Sequence, residues 1–224
     1  GTWIGWLRGP PFGLRCRRKD SPSENTMWQN TEVSRRLRLR APVIQGPFGS
    51  GLSSIDLVVA VCEAGLLGSF GVHHLDANGI GEIAAGIRAR TSRPFALNLW
   101  IPLHESDEPS LSDAQFTAAC DLLRPYFDEL GVPLPERPAR FGPRFDEQIE
   151  AVLAAEPAVF SFVYGVPSAD VLRHCRDRHI VTLGTATTPA EAQLLAAAGV
   201  DMIVASGFEA GGHRVSFLRP PEEC

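Results

Sequence analysis

Asp201-Met-Ile-Val-Ala-Ser-Gly-Phe-Glu-Ala-Gly-Gly-His213 reads as a strand that breaks into a glycine turn and ends on a histidine. Met202, Ile203, Val204 and Ala205 form the short apolar run of a buried parallel strand. Gly207, Gly211 and Gly212 leave backbone N–H groups open to a flat or anionic ligand, with no Cβ in the way. His213 adds an imidazole, a side chain suited to carrying protons at physiological pH. Strand, glycine turn and polar tip together have the form of an active-site loop at the C-terminal end of a barrel or sheet strand.

Outward from this stretch, strand and helix patterns alternate. Thr188-Pro-Ala-Glu191 predicts a capping box with Pro at the first helical position, opening a helix that runs to Gly199. Upstream lie a strand at 180–184, a Ser168-capped helix, a strand at 158–163 and a helix near 145–153. Earlier still, Phe95–Ile101 is an apolar strand bounded by Pro94 and Pro102, preceded by a helix over about 78–90 and a strand at 66–70. Ser53 or Ser54 caps a helix that ends at Gly65, and Ala41–Gln45 is the first strand, followed by a loop with Gly46, Gly49 and Gly51. Strict alternation predicts an α/β fold with a parallel sheet.

The number of units narrows this further. The 184 residues from Ala41 to Cys224 hold about six βα steps at about 30 residues each. A closed (β/α)8 barrel takes eight steps and about 250 residues. The expectation is a TIM-barrel type fold cut short after about six units, spanning 40–224. Residues 103–146 interrupt the rhythm as an insertion, where Ser112 and Gln115 form a capping box and Pro125 is expected to kink the helix. Such an insertion after a strand end is a common place for a lid.

Residues 1–39 are expected to be a disordered or non-native extension. Residues 1–30 show neither helical nor strand period, and either an Arg-rich transit peptide or over-extended translation before Met27 explains them, the second being favoured. The net charge of −5 divides unevenly: residues 1–40 hold nine Lys and Arg against three Asp and Glu, so the remainder is acidic. An acidic globular part carries no nucleic-acid footprint. No apolar run reaches the roughly 18 residues of a membrane span. Cys16, Cys62, Cys120, Cys175 and Cys224 are scattered without metal-ligand spacing, so no metal is expected and the setting reads as cytoplasmic.

Several motifs, in order, resemble those of the nitronate monooxygenases, formerly 2-nitropropane dioxygenases. They are Ala41-Pro-Val-Ile-Gln45 with Gly46-Pro47, Asn98 in Phe95–Pro102, Ser161-Phe-Val-Tyr-Gly165, Thr185–Thr188 with Glu191, and Gly207–His213. The resemblance covers about residues 40–218. It implies an FMN-dependent (β/α)8 barrel that oxidises alkyl nitronates or nitroalkanes with O2 to a carbonyl compound and nitrite. It also implies that His213 acts as base or orients the substrate. Gln45, Gly46, Asn98, Ser206, Gly211 and Gly212 would contact FMN; at Ser206 the family usually carries glutamine. The family holds the FMN phosphate on loops after strands seven and eight, so this chain alone is expected to bind FMN poorly. Flavin-dependent enoyl-acyl-carrier-protein reductases share the barrel and a similar loop and remain an alternative, as does an inactive truncated product. Oligomeric state is not legible.

Other polar residues read more plainly. Asn98 lies inside an apolar strand, where an unpaired amide costs about 1–3 kcal/mol, so either a flavin or a backbone group is its expected partner. Glu209 is expected to brace the loop through backbone N–H groups, and His73-His74 to lie in a solvated loop. His104 stands just past a strand end, and the arginines over 35–40 read as a solvated entry.

Overall fold

The computed structural model describes residues 3–5, 28–49, 51–102 and 111–220. In chain order they form β1 (Trp3–Gly5), α1 (Glu32–Arg36), α2 (Ile55–Glu63), β2 (Gly68–Gly71), α3 (Ala77–Arg88) and β3 (Phe95–Trp100). There follow α4 (Asp113–Leu130), α5 (Phe145–Ala155), β4 (Val159–Val163), α6 (Ala169–Asp177), β5 (Val181–Ala186), α7 (Pro189–Ala197) and β6 (Met202–Ala205). One sheet has the order β1-β6-β5-β4-β3-β2. Strands β2 to β6 run parallel, while β1 lies antiparallel along β6. This is the (β/α) arrangement of the TIM-barrel type.

Side chains alternate across the strands, so the register defines two faces. Ala96 stands opposite Val159 and Leu183 opposite Met202. With Leu67 they form an apolar inner layer, closed from below by Val33, Leu37 and Leu39 in and after α1. The intervening residues, among them Leu97, Leu99, Phe160 and Phe162, pack on the helical layer. There Ile80, Ala84 and Ile87 of α3, and Ile149, Val152 and Leu153 of α5, recur at helical spacing.

Side-chain caps start four helices where hydroxyls predicted them. Ser54, Ser112, Ser168 and Thr188 each accept from the backbone N–H three residues on, as Asp76 does for α3. Each such cap contributes about 0.5–2 kcal/mol.

Three expectations meet a different structure. The strand at Ala41–Gln45 is reduced to one parallel bridge, Ile44 to Leu67. Pro42 and Pro47 flank it, and a residue without an N–H cannot extend a ladder. Helix α1 lies on the extension side of the boundary at 40 yet buries Val33 and Ser34, so the folded unit takes in these residues. Finally, Thr188 caps α7, but Glu191 does not close the box and turns its carboxylate elsewhere.

A carboxylate ties α1 to the sheet. Asp201 accepts from Thr182 N (3.0 Å), Thr182 Oγ1 (2.8 Å) and the Arg36 guanidinium. Burial pushes the Asp201 carboxyl up, but the bonds from Thr182 and Arg36 outweigh it and hold it below the ordinary value. A depressed carboxyl stabilises the fold fully above its unfolded pKa of about 3.9, and this is lost as pH falls through the folded value. Urea titrations from about pH 6 to about pH 3 are therefore expected to show stability falling with acid, less steeply in Asp201→Asn. An identical slope in the variant contradicts this assignment.

Candidate active site

The loops at the C-terminal ends of β2, β3, β4 and β6 meet at one aromatic cluster. Trp100 closes β3 and projects on the same face as Asn98, two residues earlier. The His73 imidazole lies flat on the Trp100 ring, centroids 4.1 Å apart and planes 5° from parallel. His213 meets Trp100 edge-on at 5.1 Å and 66°, and Tyr164 does so at 5.2 Å and 68°. The exposed histidine at the tip of the glycine loop thus reaches the end of the third strand.

His73 is held firmly. A Cβ on Gly49 would fall 2.7 Å from its Cε1, so the loop after the first bridge packs against the imidazole. The buried side chain of Gln148, on α5, donates to the carbonyls of His73 (2.9 Å) and Leu75 (2.7 Å). Burial, and then His74 and His213, push the His73 pKa below the ordinary histidine value, so the stacked ring is neutral at neutral pH. Its buried Nδ1 has no hydrogen-bond partner among the described residues. Tyr164 leaves β4 at φ 67°, and burial raises its phenol pKa, keeping the O–H protonated.

Beneath Trp100, Asn98 is 3% exposed and donates through Nδ2 to Ser161 Oγ at 2.9 Å. Ser206 enters the glycine loop with its N–H on Ala186 O, 2.9 Å away. Within the loop Arg214 reaches Gly207 O at 3.4 Å and lies over the Phe208 ring. A Cβ on Gly211 or Gly212 would meet nothing within 4 Å, and Gly212 has φ +84°, a conformation that favours glycine. The Glu209 carboxylate folds back on its own backbone N–H, which holds its pKa below the ordinary value. Ser206, Gly207 and Glu209 line a cleft of about 350 Å³ with Thr187 and Thr188.

Gln45 takes another part. Its Oε1 accepts from Ser69 N at 3.1 Å and its amide donates to Gly46 O, so the side chain braces the first loop against β2. Gly46 is exposed beside it. His74 is exposed, edge-on to His73 at 5.2 Å. His104 lies outside the described residues. Trp100, Tyr164 and Gln148 were not singled out from sequence. Trp100 was the most findable, since a strand places residues two apart on one face.

A larger cleft of about 590 Å³ lies at the opposite end of the sheet and carries Arg36, Arg38, Arg88 and Arg93. Arg88 donates there to the carbonyls of Ala155 and Glu156 at the end of α5, so it neutralises a helix C-terminus. Among the described residues no group of three or more His, Cys, Asp or Glu is placed to hold a metal ion.

The family model described as nitronate monooxygenase matches residues 30–223. The chain belongs to the nitronate monooxygenase family. It is 38% identical over 185 residues to a nitronate monooxygenase of Paraburkholderia phytofirmans, covering 81% of this chain and 49% of the relative. It is 32% identical over 192 residues to a probable nitronate monooxygenase of Staphylococcus haemolyticus, covering 86% and 52%. Among solved structures, the nitroalkane oxidase of Streptomyces ansochromogenes superposes with a TM-score of 0.69 at 30% identity, covering 86% of this chain and 53% of that one. FabK from Thermotoga maritima, in its M276A form, reaches 0.60 at 19% identity over 84% and 50%, a likeness of fold alone. The chain spans about half the length of the curated relatives it matches.

Proposed function

We propose that this site oxidises alkyl nitronates, and the nitroalkanes that give rise to them, with FMN as cofactor and O2 as acceptor. The products are a carbonyl compound and nitrite. The observation that carries the reading is His213, at the tip of the glycine loop, set against Trp100 at the mouth of the sheet. Family membership and the likeness to a nitroalkane oxidase support it.

The residues at the mouth fit a flavin ring. Gly211 and Gly212 leave open space where a Cβ would project, and Asn98 and Ser206 offer neutral hydrogen-bonding groups. Gly46 and the Gln45 backbone complete that set, while the Gln45 side chain holds the loop. No residue described here is assigned to the phosphate. Bound FMN supplies the electron transfer that no side chain provides. His213 takes the proton from the carbon bearing the nitro group, or orients the nitronate once that proton is gone. The neutral His73 and Trp100 stack forms a flat wall that shields one side from water, and the Tyr164 hydroxyl is a donor beside it.

No helix among the described residues is long and apolar enough to cross a membrane. Cys62, Cys120 and Cys175 are free thiols, which fits a cytoplasmic setting.

Gly211→Ala separates binding from folding. Open space around the new methyl is expected to keep stability within about 0.5 kcal/mol of the parent. A flavin resting on that backbone would be displaced, weakening FMN roughly tenfold, as overpacking by about 1–3 kcal/mol implies. Flavin fluorescence titration alongside thermal melting reads both, and unchanged FMN affinity removes Gly211 from the cofactor site.

A further inference from the structure

Glu191 is 0% exposed, yet it lies at the start of α7, where a carboxylate ordinarily faces water. One carboxylate oxygen accepts from Thr187 N (2.7 Å) and Thr187 Oγ1 (2.8 Å), directly after β5. The other accepts from Phe217 N (2.7 Å) and Leu218 N (3.1 Å), directly after the glycine-histidine loop. Burial pushes this carboxyl up, but the bonds from Phe217, Thr187 and Leu218 outweigh it and keep it ionised. Four donors converging on one buried anion make a strong clamp, since charge-assisted bonds are stronger than neutral ones.

The other end of the loop is tied to the same corner, through Ser206 N on Ala186 O. Both ends of the segment that carries His213 therefore close on the β5–α7 turn. We infer that Glu191 is a positioning residue, which fixes the glycine loop so that His213 stands against Trp100. The inference rests on the proposed role of His213, but its first readouts do not depend on nitronate chemistry.

A clamp of this kind predicts a pattern of amide exchange in the unaltered protein. Phe217 and Leu218 should exchange as slowly as the core strands, while Phe208–Gly212 exchange as an open loop. Glu191→Leu keeps much of the bulk but removes both acceptor oxygens, leaving all four donors unpaired. It is expected to speed exchange at Phe217 and Leu218 by at least about tenfold and to erase the ring-current shift that Trp100 imposes on His213. Thr187→Val removes a donor from the other oxygen only and should leave Phe217, Leu218 and the His213 shift as they were. In the flavin-loaded protein, Glu191→Leu should lower kcat more than it raises KM, because a misplaced group is felt most in the transition state. Fast exchange at Phe217 and Leu218 in the unaltered protein overturns the inference even if the variant does not fold. A folded Glu191→Leu with an unchanged His213 shift also overturns it. If the His213 shift is lost but nitrite release is untouched, the clamp stands and the proposed role of His213 falls.

Discussion

Replacing His213 with Asn is expected to lower kcat/KM for a neutral nitroalkane by about 10²–10⁴, the usual worth of a positioned general base. The same variant should lose far less with a pre-formed nitronate, which no longer carries the proton a base removes. Measuring nitrite release from both substrate forms, side by side, separates the two roles open to the imidazole. Equal losses mean that His213 orients the substrate; a loss confined to the neutral form means that it is the base. His213 touches Trp100 through ring edges and is otherwise exposed, so stability should move by no more than about 0.5 kcal/mol. A large fall in melting temperature would mark the residue as structural.

The second large effect lies in the fold. Gly68→Ala would set a methyl 2.5 Å from Val58 O, 2.9 Å from Val58 Cγ1 and 3.0 Å from Cys62 Sγ. The nearest atom is a helix carbonyl, which cannot rotate aside as a side chain does. Either α2 lifts from the sheet or β2 shifts, and overpacking of this kind costs about 1–3 kcal/mol. With about 2–4 °C lost per kcal/mol in a domain of this size, the melting temperature should fall by roughly 2–12 °C. Melting within a degree of the parent would show that α2 and β2 are not packed as described.

Most of the fold was legible because its signals are local. Ser54, Ser112, Ser168 and Thr188 announce helix starts within four residues of themselves, and the apolar run at Met202–Ala205 marks its strand without reference to anything distant. Where local signals compete, composition alone misleads. Ala41–Gln45 has strand composition, but its flanking prolines leave a single bridge. Residues 32–39 carry Val33, Leu37 and Leu39, whose place under the inner layer becomes visible only once the sheet exists.

The site was legible in the same uneven way. The glycine loop and His213 are contiguous, so the stretch displays its own geometry. Gln45 shows the opposite: its residue type is right for a ligand contact, but the direction of its amide is decided by Ser69, 24 residues away. His73 joins the site because the β2 exit loop is pinned by Gln148, 75 residues further on. The Thr188–Glu191 spacing is that of a capping box, and nothing within four residues reveals that Phe217 and Leu218 will compete for the carboxylate and win.

The most direct test of a flavin-dependent nitronate site at this mouth is nitrite release by the flavin-loaded protein given a short-chain alkyl nitronate and O2. Nitrite should form together with the carbonyl product and consume O2, and release from the parent nitroalkane should fall sharply in His213→Ala at unchanged FMN content. A protein with FMN bound that releases no nitrite, or releases as much from the nitroalkane after His213→Ala, would contradict it.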